Sequence, residues 1–171
     1  MINDKINDAL NTQINWEFWS GYLYLSMANW CESIGRKGMA NWFRVQFKEE
    51  FAHAQIFIDY VNARGGKVVL QPIQAVQSEW DSVLAVFADT LAHEKEVTRK
   101  INALYALAEE EKDFATRNKL NWYVAEQVEE EENVQDIIDN LELVGTDGTG
   151  IYQIDAELGK RTYVAPAVLK N

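Results

Sequence analysis

Apolar residues recur along most of the chain with the three-to-four-residue spacing of long amphipathic helices. This spacing predicts four helices, which we place at about residues 4–34, 38–64, 82–111 and 113–143. Glycines, which commonly end helices, follow three of these segments, at Gly35, Gly65 and Gly145. Residues of the Asn and Asp type are good N-caps, and the candidates here are Asn3, Asp113 and Asp147. The pattern therefore predicts an all-α bundle of four helices.

The segment between the second and third helices has no helical period. Val68, Val69 and Leu70 are β-like, and Pro72 bars a helix interior. Such a long connection fits a crossover that lets the second and third helices run parallel. A short fifth helix is predicted at about 147–159, and a symmetric partner subunit is one candidate to cover its apolar face, which consists of Ile151, Ile154 and Leu158. We treat residues 1–171 as one domain, with a tail at 160–171.

Composition narrows the class of protein and of partner. The chain has 171 residues, 47% of them hydrophobic, which is enough for one domain with a substantial core. A formal net charge of −11 disfavours nucleic acid and anionic membranes as partners and favours cations. Cys31 is the only cysteine, and neither a signal peptide nor a membrane-spanning apolar run is evident. A cytoplasmic protein is the simplest interpretation.

A set of candidate metal ligands occurs twice along the chain. The first set is Glu17, Glu49, Glu50 and His53, and the second is Glu94, Glu126, Gln127 and Glu130. Adding 77 to 17, 49, 50 and 53 gives 94, 126, 127 and 130. Two related helix pairs would therefore bring carboxylates to one height of the bundle and assemble a single metal site.

Helix geometry explains the spacing within each set. Residues three apart on a helix lie on the same face. Glu50 and His53 can therefore bind one ion together, and so can Gln127 and Glu130. Oxygen ligands with one imidazole suit iron or manganese, whereas structural zinc prefers cysteine and histidine. The alternative to a metal site is that these glutamates lie on solvated, acidic helix faces. It is weak where the glutamates lie on otherwise apolar stripes, because unpaired buried carboxylates are costly.

With these motifs, the chain to about Arg161 resembles bacterial non-haem ferritin, a four-helix bundle with a short C-terminal helix. The resemblance implies a homo-oligomeric shell of 24 subunits that oxidises Fe(II) with dioxygen or peroxide and stores a ferric mineral. It implies a first iron held by Glu17, Glu50 and His53. A second iron would be held by Glu50, Glu94 and Glu130, with Glu50 bridging the two.

The resemblance also implies roles for neighbouring residues. Gln127 would lie beside the pair, and Tyr24 would lie next to it in either a redox or a structural role. A third iron site would adjoin the pair, with Glu49, Glu126, Glu129 and Glu130 as its candidates. The alternative to a third iron site is that these glutamates lie on the solvated surface, since Glu129 belongs to an acidic run.

Differences from the sequences of related families argue against some other functions. Bacterioferritin ligates haem through a methionine just after the glutamate of its first motif, where this chain has Phe51, so no haem is expected. A rubrerythrin-like peroxidase usually adds a Cys-x-x-Cys module, which a single cysteine cannot make. A non-catalytic helical interaction protein stays open as an alternative of another class. His93 is interpreted as a surface or interface histidine, and Cys31 as a core residue.

Overall fold

The computed structural model describes residues 1–169, and these fold into five α-helices and one short 3₁₀ turn. The helices are α1 (Asp4–Ser33), α2 (Lys37–Ala63), α3 (Val83–Glu110), α4 (Phe114–Val144) and α5 (Gly148–Leu158), and the 3₁₀ turn covers Ala167–Leu169. The prediction of an all-α four-helix bundle with a short fifth helix is confirmed. Within the described residues, no helix combines the length and the apolar character that crossing a membrane requires.

Side-chain caps fix the starts of four of the helices. In each case a side-chain oxygen accepts a hydrogen bond from the backbone N–H three residues later, which satisfies a donor that the first turn leaves free. The caps are Asn3 for α1, Ser82 for α3, Asp113 for α4 and Asp147 for α5. Three of these four caps were predicted, and only Ser82 was not.

The segment at residues 64–82 crosses the length of the bundle along α1. Near its start, Asn11 donates a hydrogen bond to the backbone oxygen of Lys67 at 2.9 Å. Near its end, Ser26 donates to the backbone oxygen of Gln77 at 2.6 Å. The segment therefore travels from the N-terminal to the C-terminal part of α1. As a result α3 begins at the same end of the bundle as α2, and these two helices run parallel as predicted.

The interior consists of two apolar clusters with a polar layer between them. The first cluster includes Tyr24, Met27, Phe43, Phe87 and Leu141. The second, toward the other end, includes Ile6, Leu10, Phe57, Ile101 and Tyr123. Cys31 is fully buried in the first cluster, as predicted. The predicted ligands Glu17, Glu50, His53, Glu94 and Glu130 are all buried in the layer between. Burial of the apolar residues on both sides holds that layer in place.

Helix α5 covers its own subunit. Its apolar face, formed by Ile151, Ile154 and Leu158, packs against the first apolar cluster of the same chain. All three side chains remain partly exposed within the single chain, so further burial by a partner subunit stays a prediction. Close contact with α2 is possible because Gly38 has no side chain. A Cβ atom there would lie 1.6 Å from the backbone oxygen of Asp155.

Candidate metal centre

The first ligand group joins α1 to α2. One ligand atom each from Glu17, Glu50 and His53 lie within 4.8 Å of one another, and all three residues are buried. The close approach of the two helices depends on Gly21, because a Cβ atom there would lie 2.7 Å from the ring of Phe51. The sequence repeat thus locates three side chains that converge on one point.

Three buried atoms of this group lack a hydrogen-bond partner among residues 1–169. They are Oε2 of Glu17, Oε2 of Glu50 and Nε2 of His53. Leaving a polar atom buried and unpaired costs about 1–3 kcal/mol, and more for a charged group. A cation bound between two carboxylates and an imidazole would remove that cost. The residues therefore fit a bound metal ion far better than they fit a structural core.

Neighbouring side chains hold two of these ligands in place. Gln13 donates a hydrogen bond to Oε1 of Glu17 at 2.7 Å. The hydroxyl of Tyr123 donates to the backbone oxygen of His53 at 2.7 Å. Sequence reasoning missed both supports. Gln13 carried a signal nonetheless, since it is a polar residue one helical turn before Glu17 on an apolar stripe.

Glu94 enters the polar layer from α3 and is held by two neighbours. The hydroxyl of Tyr24 donates a hydrogen bond to Oε1, and Nε2 of Gln127 donates to Oε2 at 3.1 Å. Gln127 also donates to the hydroxyl of Thr98 at 3.4 Å. Burial, followed by the charge of Glu94, raises the pKa of Tyr24 well above its usual value. Tyr24 is therefore a neutral donor that fixes the Glu94 carboxylate.

A second ligand group lies between α2 and α4. One ligand atom each from His53, Glu126 and Glu130 lie within 4.8 Å of one another. Glu130 is buried, and Nε2 of the fully buried Gln46 donates to its Oε2 at 2.9 Å. His53 belongs to both groups, so the two ligand groups adjoin each other. The structure thus brings Glu126 to the flank of the predicted pair.

The buried carboxylates are electrostatically linked. Burial, and then the charge of Glu50, raises the pKa of Glu17 well above its usual value. Burial, and then the charge of Glu94, does the same for Glu50. Burial, and then the charge of Glu130, raises the pKa of Glu94 to about 8. Each group thus feels a carboxylate from another helix, which is the expected property of a cation site without its cation.

The remaining candidates for a third site differ from one another. Glu49 accepts a hydrogen bond from Nη2 of Arg161 at 2.7 Å, and burial raises its pKa to about 7. Glu126 is only partly buried, and burial raises its pKa too. Glu129 is exposed. The involvement of Arg161 was missed because it lies beyond the repeated motifs.

His93 is buried, so its interpretation as a surface or interface histidine was wrong. Its side chain shares a hydrogen bond of 2.9 Å with the hydroxyl of Ser20. Its ring lies 5.8 Å from that of Trp16, 5.5 Å from that of Trp19 and 5.7 Å from that of Tyr24, measured between centroids. Burial lowers the pKa of His93 to about 4, so the ring is neutral at pH 7.

The ferritin-like domain family matches residues 7–144, which include α2, α3, α4, all but the first three residues of α1, and every predicted metal ligand. The chain belongs to the ferritin-like family. The bacterial non-heme ferritin of Staphylococcus saprophyticus is 39% identical over 163 residues, covering 95% of this chain and 98% of that relative. The bacterial non-heme ferritin of Staphylococcus aureus is 37% identical with the same coverage.

Solved structures of an archaeal ferritin share the fold of this ferritin-like chain. The open-pore ferritin of the hyperthermophile Archaeoglobus fulgidus is 50% identical, with a TM-score of 0.94. The match covers 95% of this chain and all of that one. A closed form of that ferritin, engineered by site-directed mutagenesis, is 49% identical with a TM-score of 0.95, covering 96% of this chain and all of that one.

Proposed function

We propose that this protein is an iron-storage ferritin that oxidises Fe(II) at a two-iron centre within each subunit. The observation that carries the proposal is the set of buried, unpaired atoms on Glu17, Glu50 and His53. Burying carboxylates from four helices in one layer costs stability unless a cation offsets their charge. A site that binds a cationic substrate does.

Two observations support the ligand roles: the ligand atoms of Glu17, Glu50 and His53 converge, and the charge of Glu130 raises the pKa of Glu94. Glu17 and His53 hold the first iron, and Glu94 and Glu130 hold the second. Glu50 would serve both ions: its carboxyl group lies beside His53, and the charges of Glu94 and Glu130 raise its pKa. Carboxylates favour Fe(III) over Fe(II) through their charge, so binding two ferrous ions here promotes their joint oxidation.

The surrounding residues control protons and geometry. Glu17, Glu50 and Glu94 have raised pKa values, so they release protons when iron enters. Tyr24 and Gln127 keep the Glu94 carboxylate oriented in the absence of metal. Dioxygen or peroxide takes one electron from each ferrous ion, which avoids free one-electron products. The second iron has only oxygen ligands, which favours release of ferric iron into storage.

A third, weaker iron site adjoins the pair in this proposal. Its ligands are Glu126 and Glu130, with Glu49 and Glu129 as further candidates. The cluster of His53, Glu126 and Glu130 supports its position, since their ligand atoms lie within 4.8 Å of one another. The lower burial of Glu126 supports a weaker site, because water competes there.

Storage also requires a container, so the proposal includes a shell of 24 subunits working in the cytoplasm. With subunits of 19.6 kDa, light scattering should give a particle of roughly 470 kDa at physiological salt. A stable monomer or dimer would instead favour a diiron peroxidase of the rubrerythrin type. A small particle that binds no iron would favour a non-catalytic interaction protein.

The chemistry is tested by loading Fe(II) without oxygen and then mixing rapidly with dioxygen or peroxide. Wild type should oxidise two ferrous ions per subunit in a fast phase. His53→Ala should lose that phase, by more than about a hundredfold in rate, because a first-iron ligand is gone. Glu142→Ala, which removes an exposed acid from the same bundle, is the matched control and should keep it. Fast oxidation in His53→Ala would overturn the ligand assignment.

A further inference from the structure

The side chain of Arg161, just beyond the end of α5, reaches the edge of the carboxylate layer. Its Nη2 donates to Oε2 of Glu49 at 2.7 Å, and its Nη1 donates to Oε1 of Gln46 at 2.5 Å. The guanidinium carbon lies 4.8 Å from the centroid of the Trp42 ring. Three different α2 side chains thus hold one cation in a fixed place.

Backbone contacts of α5 determine where Arg161 lies. Asn41 donates a hydrogen bond to the backbone oxygen of Arg161 at 2.9 Å. Asp155 accepts one from the backbone N–H of Met39 at 2.8 Å, and the missing side chain of Gly38 admits the α5 backbone. These contacts hold α5 and the residues that follow it against α2. The guanidinium is therefore delivered by the fold and not by a freely moving tail.

Gln46 connects this guanidinium to the metal centre. Since a guanidinium can only donate, the amide oxygen of Gln46 must face Arg161. The amide nitrogen is then left to donate to Oε2 of Glu130, which it does at 2.9 Å. Arg161 is accordingly two hydrogen bonds away from a predicted iron ligand. Through Glu49 it also contacts a candidate ligand of the third site directly.

An ordinary surface ion pair would have little effect on how tightly a nearby site binds metal. Exposed pairs contribute only about 0–1 kcal/mol and are readily screened by salt. The Arg161–Glu49 pair is less accessible, with side chains 25% and 18% exposed, and it has the Trp42 and Gln46 contacts besides. Its charge therefore acts on the neighbouring carboxylates with less screening.

We propose that Arg161 is a built-in counter-cation that determines how tightly the outer carboxylates, Glu49, Glu126 and Glu130, bind a third metal ion. It competes for Glu49 and repels a cation at the flank of the two-iron centre. This inference rests on the proposed function only for the two-iron centre beside it. Arg161 acts on the third position, where it lowers affinity and so favours passage of iron over its retention.

The test counts Zn²⁺ sites by calorimetry on the assembled protein, since zinc is not oxidised. In Arg161→Gln, the weakest site per subunit should bind Zn²⁺ at least about tenfold more tightly than in wild type. Arg161→Lys keeps the charge and should stay close to wild type. The double variant Arg161→Gln/Glu49→Gln should lose the gain. Arg99→Gln, an exposed arginine paired with Glu96, is the matched control for loss of one charge.

The outcomes separate this inference from the proposed function. Two tight sites with an unchanged weak site in Arg161→Gln would overturn the role of Arg161 and leave the two-iron centre standing. A gain shared equally by Arg161→Lys would also overturn it, since charge would then not be the cause. Absence of the two tight sites in wild type would instead overturn the proposed function. Circular dichroism of each variant checks that the helices are intact.

Discussion

Trp16 and His93 occupy equivalent positions in the two halves of the sequence repeat, and their rings stack against each other with centroids 5.8 Å apart. The positions differ by 77, the same interval that relates Glu17 to Glu94. The repeat therefore relates residues that meet between α1 and α3. His93 lies there as a buried, neutral ring held by Ser20, one residue before the predicted ligand Glu94.

His93 should make the protein acid-sensitive. Burial lowers its pKa to about 4, against an ordinary value of 6.5. Between these pH values the unfolded chain binds a proton that the folded protein excludes, so stability falls as pH falls. The charge of Glu96 raises the pKa of His93 and that of Lys100 lowers it, but burial has the larger effect.

The measurement is chemical denaturation of wild type and His93→Phe from pH 7 to pH 4. Wild type should lose about 3 kcal/mol more than the variant over that interval, at about 1.4 kcal/mol per pH unit. The comparison cancels the titration of carboxylates that both proteins share. Parallel pH profiles would contradict the buried, neutral state of His93.

Sequence spacing predicted the buried carboxylates because they share helix faces, and a helix face follows directly from residue number. Glu17, Glu50 and Glu94 could be located in this way, and each is buried where the apolar stripes indicated. Burial of His93 could not, because it arises from contact with Trp16 and Ser20 on α1. That contact depends on which helix faces which.

Arg161 was missed for a different reason. It lies outside both copies of the repeat, and its approach to Glu49 depends on how α5 docks against Gly38. No periodicity within one helix encodes that docking. Gln46 had a local signal, as a polar residue one turn before Glu50 on an apolar stripe. Its partner Glu130 belongs to α4 and could be assigned only once the helices were arranged.

Replacing Glu50, the proposed bridging ligand, should separate function from stability. In the metal-free protein Glu50 is desolvated, faces other carboxylates and has an unpaired oxygen. The isosteric change Glu50→Gln removes a carboxyl group whose raised pKa makes folding at neutral pH costly, so the free energy of unfolding should rise, by about 1 kcal/mol. Fast Fe(II) oxidation should be lost. Denaturation of the metal-free protein, with stopped-flow oxidation alongside, checks both effects.

Glu50→Ala serves as the comparison for that variant. It also removes the buried carboxyl group but leaves a cavity, so its gain in stability should be smaller than that of Glu50→Gln. Clear destabilisation of the metal-free protein by Glu50→Gln would mean that the carboxylate is structural. Retained fast oxidation in either variant would contradict a bridging role.

Metal binding should release protons at neutral pH. The pKa of Glu94 is raised to about 8, so most of this carboxyl is protonated at pH 7 in the metal-free protein. A raised folded pKa stabilises the fold fully below the ordinary value of 4.5, and this contribution disappears as pH rises through about 8. Zn²⁺ affinity should accordingly increase from pH 6 to pH 8, since the ligand must be ionised.

Calorimetry in two buffers of different ionisation enthalpy counts the released protons. Glu94→Gln should release about one proton fewer per subunit than wild type at pH 7. Glu79→Gln, which alters an exposed carboxylate in the crossover, should match wild type. Equal proton counts in wild type and Glu94→Gln would show that Glu94 is already ionised before the metal enters.

The chain offers its own matched pair of variants for the third site, because Glu126 and Glu129 lie one turn apart on α4 and differ in burial. Glu126 is partly buried and joins His53 and Glu130 in a cluster, whereas Glu129 is exposed. A carboxylate with less water around it interacts more strongly with a cation. Glu126→Ala should therefore change the ratio of iron oxidised to oxygen consumed more than Glu129→Ala does.

Oxygen-electrode measurements over several additions of Fe(II) test this order. Glu126→Ala should keep the first fast oxidation of two ferrous ions but alter the stoichiometry, or slow recovery, in later turnovers, because an ion at the flank can supply a further electron or leave for storage. Glu129→Ala should show the same change to a lesser degree. Since both variants remove one negative charge from the same face of α4, a general loss of electrostatic attraction would affect them equally. Only direct binding at the flank predicts the larger effect at Glu126, and wild-type behaviour in both variants would mean that these carboxylates are solvated surface.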